Sequence, residues 1–222
     1  DAILSRGLGD VYKRQINGLM HLFGVLCWML SAFFANFWRD PDRKIPQDEG
    51  VLVSPADGHV MFVRRERATG RRPNKEELDS ELIESDKLTG PWYPEAIEKP
   101  LSFATEQRFE SVPEGEESPT DVFRIAIFMS PLDVHVNRSP CAATIERMEH
   151  RTGQGRRRGP FLPAMKKESE HNERVRTVLL CEDELRIEVC QISGALARTI
   201  VPWTTVGDEL RRGQRYGMIR LG

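Results

Sequence analysis

From Ile16 to Trp38 the chain carries no charged residue. Leu19, Met20, Leu22, Phe23, Val25, Leu26, Trp28, Met29, Leu30, Phe33, Phe34 and Phe37 dominate the stretch, and Asn17, His21, Ser31 and Asn36 interrupt it. A helix of that length, rising about 1.5 Å per residue, is about 35 Å long, close to a bilayer core. Trp38 falls where interfacial aromatic residues sit. A secretory signal fits poorly, because the stretch is long and lacks a small-x-small cleavage site. A buried core helix is the other soluble alternative. We read residues 16–38 as a membrane anchor, spanning the bilayer or lying in its interface. Lys13 and Arg14 precede it, and Arg39, Arg43 and Lys44 follow it. The basic excess after the anchor puts the rest of the chain on the cytoplasmic side of a cell membrane. Residues 1–15 show no apolar period and are set aside as an unmatched segment that need not be native.

After the anchor the hydrophobic period changes from 3.6 to 2. Arg39 to Pro46 is a proline-broken exit, and Val51-Leu52-Val53 reads as a short strand. Ser54-Pro55-Ala56-Asp57-Gly58 is a turn, and His59 to Val63 is the returning strand. Phe123 to Met129 reads as a buried strand. Val175 to Leu180 and Leu185 to Ile192 flank the acidic turn Glu182-Asp183-Glu184. Thr199 to Trp203 and the apolar run ending at Leu221 complete the set. The expected fold is mainly β (α+β), a compact sandwich- or barrel-like domain over residues 39–222 behind an amino-terminal helix. Between Glu66 and Pro119 the pattern dissolves into a charged insertion at about 66–119. Within it, Glu76 to Leu88 has room for one short helix.

Composition closes several classes. A formal net charge of -2 excludes a generic polybasic nucleic-acid binder, and 39% hydrophobic residues exclude a wholly disordered chain. The four cysteines form no CxxC pair. That argues against a disulfide framework and a zinc ribbon, and makes a reducing compartment the simpler expectation. There is no metal-binding motif, no GxSxG elbow, no Walker A sequence and no GxGxxG.

Three segments still offer chemistry. Asp57 lies at the tip of a tight turn, although an aspartate before glycine is also an ordinary turn former. Ser130-Pro131-Leu132-Asp133-Val134-His135-Val136-Asn137-Arg138-Ser139-Pro140 follows directly on a strand, where polar groups are well placed for a site. His135 can move protons near neutrality, or be a satisfied structural histidine. Asp133 can be a turn former or a cap. Asn172-Glu173-Arg174 offers an amide, a carboxylate and a guanidinium, or a solvated ion-pair cluster. Arg156-Arg157-Arg158 could meet anionic headgroups, or be a solvated loop.

Taken together, the segments resemble the phosphatidylserine decarboxylases of the short bacterial and archaeal type. The matching residues are Phe37-Trp38-Arg39-Asp40-Pro41, the Ser54–Gly58 turn, Phe128 to Arg138, Asn172-Glu173-Arg174, Gln191-Ile192-Ser193-Gly194-Ala195-Leu196-Ala197-Arg198 and Gly213 to Gly222. The resemblance implies a proenzyme. A serine directly after Gly222 would attack the Gly222 carbonyl, and β-elimination of the resulting ester would leave a pyruvoyl group on a small α chain. This chain would be the β chain, ending at the cleavage glycine. The pyruvoyl group, the only cofactor implied, would form a Schiff base with phosphatidylserine and turn it into phosphatidylethanolamine. Asp57 would serve self-cleavage. His135 would lie near the pyruvoyl group and move protons. Asn137, Arg138, Asn172, Glu173 and Arg174 are the substrate-binding candidates. The implied partners are the α chain, phosphatidylserine in a membrane and a second copy in a homodimer, with no nucleic acid.

One position departs from the pattern. Longer family members carry a second histidine three residues after the one matching His135, and here that position is Arg138. A guanidinium that is always charged cannot act as a general base. The alternative from another class is a non-catalytic, membrane-anchored domain that binds phospholipid headgroups and lacks the nucleophile. A carrier-like β module is disfavoured by the absence of a lysine at a hairpin tip.

Overall fold

The computed structural model describes residues 2–68, 84–86, 90–92, 109–118, 121–151, 172–181 and 184–221. Most of the charged insertion, Arg156 to Arg158, Glu182, Asp183 and Gly222 lie outside these residues. The chain divides into Asp1–Arg39 and Asp40–Gly222.

The first unit is one helix, α1 (Ala2–Phe37). It starts well before the expected Ile16, so the segment set aside in the sequence is helical from Ala2. Val11–Phe37 is long and apolar enough to cross a membrane, and its most apolar window is wholly unburied, although Phe37 at its end is buried. Leu19, Met20, Phe23 and Trp28 are each more than half exposed. An apolar surface of this kind is stable only against lipid or another apolar partner.

The second unit is built from strands. In order they are β1 (His59–Ala68), β2 (Glu84–Asp86), β3 (Gly90–Trp92), β4 (Phe109–Ser111), β5 (Asp121–Phe128) and β6 (Val136–Arg138). Then follow β7 (Ala143–Arg151), β8 (Arg174–Cys181), β9 (Arg186–Ile192), β10 (Ala197–Pro202), β11 (Glu209–Leu210) and β12 (Arg215–Leu221). Three sheets run in the orders β4-β1-β5, β10-β12-β6 and β11-β7-β8-β9, and β2 pairs with β3. The architecture is the expected mainly-β domain plus an apolar helix, with curled sheets.

The core follows from which strands are central. β8 is flanked on both sides, and its β-branched and aliphatic residues are buried almost without alternation. Ile145, Leu179, Leu210 and Tyr216 form one apolar cluster. Val175, Ile200 and Ile219 form a second, which joins β8 to β10 and β12.

Four expectations are corrected. Val51-Leu52-Val53 is not a strand: its backbone contributes one bond, Val53 N to the Pro140 carbonyl at 3.0 Å. β5 is not buried, because one face is open to solvent, with Phe123 at 76% and Ile125 at 56% exposure. Glu84 to Asp86, inside the proposed helix, is the strand β2, and the rest of that stretch, Glu76 to Ile83 with Lys87 and Leu88, lies outside the described residues. Finally, Cys141 and Cys181 are disulfide-bonded. The β7–β8 pairing sets Ala143 opposite Cys181 and closes a gap of 40 residues that spacing alone could not show. The cysteines therefore no longer argue for a reducing compartment.

Candidate active site

The Ser54–Gly58 turn lies against the segment that carries His135. The Pro55 carbonyl accepts from the Arg138 amide at 3.0 Å and from Asn137 Nδ2 at 3.3 Å. Ser54 Oγ closes the turn on the Ala56 carbonyl at 2.6 Å. Gly58 has φ of 141°, and a Cβ there would collide with the Phe128 carbonyl. Only glycine lets the turn sit this close to the end of β5. Two separate sequence motifs are thus one piece of structure.

His135 is buried. Its Nδ1 lies 2.9 Å from the Asp133 carbonyl oxygen. A carbonyl can only accept, so Nδ1 carries the hydrogen and the basic lone pair sits on Nε2. The Asp133 carboxylate accepts from the Ser130 amide at 2.7 Å. Burial pushes the Asp133 carboxyl up. The Ser130 hydroxyl and amide, with the charges of His59 and His135, outweigh this and hold it below its ordinary value. Asp133 thereby fixes the loop that presents His135. The sequence offered Asp133 as a turn former or a cap, and this is the contact it makes; nothing in the sequence pointed to His59 beside it.

β12 passes beside His135. The Ile219 amide donates to the His135 carbonyl at 3.0 Å, and Met218 pairs with Val136. On its other side Leu221 pairs with Ala197. The strand leading to Gly222 is therefore held on both edges, in register with the histidine. Gly222 itself lies outside the described residues.

The substrate-binding candidates occupy interior positions. Asn137 is buried, and its Oδ1 accepts from Gln191 Nε2 at 2.8 Å. Asn172 Nδ2 donates to the Ser193 carbonyl at 2.8 Å. Glu173 Oε1 accepts from the Ile200 amide at 3.1 Å and contacts His150 Nε2 at 2.8 Å. Arg174 is buried at the start of β8. Asn172 and Glu173 thus tie the start of β8 to the Gln191–Arg198 segment and to β10.

Arg138 turns away from base chemistry altogether. Its Nη2 donates to Asp40 Oδ1 at 3.0 Å and to the Pro41 carbonyl at 3.1 Å, and its Nη1 donates to the Gly213 carbonyl at 3.1 Å. Asp57 is half-exposed and accepts through Oδ2 from Arg43 Nη2 at 2.5 Å. Arg43 appeared in the sequence only as a flanking charge of the anchor.

The family model for phosphatidylserine decarboxylase matches residues 30–222. The chain belongs to the phosphatidylserine decarboxylase family. It is similar to the phosphatidylserine decarboxylase proenzyme of Streptomyces griseus, at 51% identity over 194 residues (87% of this chain and 61% of that protein). The proenzyme of Streptomyces coelicolor is 37% identical over 214 residues, covering 96% of this chain and 70% of that protein. That of Symbiobacterium thermophilum is 34% identical over 194 residues, covering 87% and 66%. The chain thus spans about two thirds of the length of the curated relatives it matches. The turn, the His135 loop and β12 all fall within the matched residues.

Proposed function

We propose that this chain is the β-chain portion of a membrane-anchored phosphatidylserine decarboxylase proenzyme. In this reading the chain continues with a serine after Gly222 and cleaves itself there. The observation that carries the reading is the register of β12 with His135, through the Ile219–His135 bond of 3.0 Å. A strand locked on both edges presents the following residue at a defined place. The residues present fit a pyruvoyl group formed there. They supply a buried imidazole and a carboxylate on a rigid turn, and the group itself requires no metal. Such a group, held beside His135, would supply an electrophilic carbonyl for the lipid's serine amine and an electron sink for the loss of carbon dioxide.

This chain's own residues manage protons and position. His135 Nε2 takes the proton from the attacking hydroxyl during cleavage, while the Asp133 carbonyl holds the ring through Nδ1. In decarboxylation the same Nε2 returns a proton to the carbon that has lost carbon dioxide. Asp57 orients or polarises the base during cleavage. Asn137, Asn172, Glu173 and Arg174 shape the substrate site from behind, through the backbone they hold. Arg138 takes no part as a base. The apolar helix keeps the domain at the lipid surface, and the basic residues after it favour the cytoplasmic face.

The test is to express the full-length reading frame in membranes and follow chain length and lipid product. The expected result is two chains and ethanolamine lipid from phosphatidylserine vesicles. Asp57→Ala should remain one chain. His135→Ala should yield no ethanolamine lipid. A wild-type protein that stays one chain and binds vesicles without turnover would establish the non-catalytic reading instead.

A further inference from the structure

A strap of chain, residues 40–48, is stitched to the β domain by three guanidinium groups. Arg138 holds Asp40 and the Pro41 carbonyl. Arg215 holds Asp40 at 2.6 Å and Asp42 at 2.8 Å. Arg212 Nη1 donates to the Pro46 and Asp48 carbonyls at 3.0 and 2.8 Å. Ile45 packs on Gly213, whose φ of 73° suits glycine. The hydrogen bonds it donates to Asp40 and Asp42 also hold the Arg215 guanidinium above its ordinary pKa. Between these anchors Arg43 points back to the Asp57 carboxylate, the group at the tip of the Ser54–Gly58 turn.

We propose that Arg43 is a positioning residue for Asp57, and that Arg138 acts on the same carboxylate at one remove by anchoring the strap that delivers Arg43. The inference rests on the role given to Asp57 above. Two observations carry it. Arg43 Nη2 donates to one oxygen of the Asp57 carboxylate, Oδ2, a charge-assisted contact that restrains the side chain at the tip of the turn. The arginine that stands where longer family members have a second histidine spends its donors on the strap and on Gly213. The departure at position 138 is thus read as an exchange. A proton-handling group is absent, and a scaffold that orients the remaining carboxylate is present.

Exposure separates positioning from mere stability. The Arg43 and Asp57 side chains are 44% and 37% exposed, so their ion pair adds little to folding. Loss of positioning at the reacting centre, by contrast, is read directly in the rate.

The experiment measures self-cleavage of the full-length protein by quantitative gel, with the thermal midpoint recorded for each variant. Arg43→Gln should slow cleavage by about tenfold or more, about 1.4 kcal/mol of barrier, with the midpoint unchanged. Arg43→Lys should recover part of the rate, because it restores a cation with a shorter reach. Asp40→Asn, which loosens the strap and leaves Arg43 and Asp57 intact, should also slow cleavage. Combining it with Arg43→Gln should add little further, as expected when two residues act through one contact. Wild-type cleavage with Arg43→Gln and Asp40→Asn both within twofold of it would overturn the inference alone. Equal rates for the Gln and Lys variants would also overturn it. Failure of the wild-type protein to cleave would overturn the parent reading and this inference with it.

Discussion

Replacing Arg176 by Met should cost the β domain about 3–5 kcal/mol. Arg176 sits on β8 with its side chain 4% exposed, between Glu149 on β7 (0% exposed) and Glu188 on β9 (16% exposed). Its Nη1 lies 3.2 Å from Glu149 Oε2 and its Nε 3.0 Å from Glu188 Oε1. Glu149 pairs directly with Arg176 across β7–β8, while Glu188 is the diagonal neighbour across β8–β9. At an effective dielectric near 20, two unit charges about 3.2 Å apart attract by about 5 kcal/mol. Much of that offsets the cost of removing both ions from water, so the intact group is a modest net contributor. The mutation is costly for a different reason: it leaves the Glu149 carboxylate in the interior without its cation. The assay is urea unfolding in detergent micelles, read as a shift in midpoint at constant slope. The equivalent thermal shift is roughly 6–20 °C for a domain of this size. Adding Glu149→Gln to Arg176→Met should restore part of the loss, since a neutral amide is cheaper to bury. A loss below about 1 kcal/mol would mean that Glu149 reaches solvent on its own, and the argument from burial would fail.

Gly58→Ala should impair cleavage and stability together, because the new Cβ meets the Phe128 carbonyl; near-wild-type cleavage and midpoint would contradict the close docking of the turn. Tyr216 is buried, and its hydroxyl has no hydrogen-bond partner among the described residues. Burial raises its pKa, so its contribution is intact below the ordinary tyrosine value near 10 and is lost as pH rises above it. Tyr216→Phe should therefore leave stability at pH 7 unchanged or slightly higher, and should flatten the loss above pH 10; an unchanged alkaline profile in the variant would count against it.

How far the sequence speaks depends on whether a feature is local. β8, β9, β10 and β12 announce themselves as runs of β-branched and aliphatic residues, and the structure keeps them within a residue or two of the expected ends. β7 was missed because Glu146, Arg147, Glu149 and Arg151 make it look like a solvated segment. Their partners, such as Arg176 and Arg186, stand on other strands. Val51 to Val53 has strand composition but, among the described residues, one backbone partner, the Pro140 carbonyl. Phe123 and Ile125 are apolar, yet they lie on an open sheet face. The site divides in the same way. Asp57 and His135 stand in compact motifs, but each has an ordinary structural reading by itself, and it is the resemblance that singles them out. Arg43 reaches Asp57 from 14 residues away, and Arg138 reaches Asp40 across 98. Nothing in a linear pattern marks such pairs.

β12 is the middle strand of its sheet, hydrogen-bonded to β10 on one edge and β6 on the other. Its side chains Tyr216 and Ile219 belong to both apolar clusters. A strand in that position is among the last to leave when a domain opens. If the backbone is severed just beyond Leu221, the new carboxyl end is therefore tethered by the sheet instead of the peptide bond. This fragment's carboxyl end would then keep its place in the sheet, and the amides of β12 would be protected from exchange alike before and after the cut.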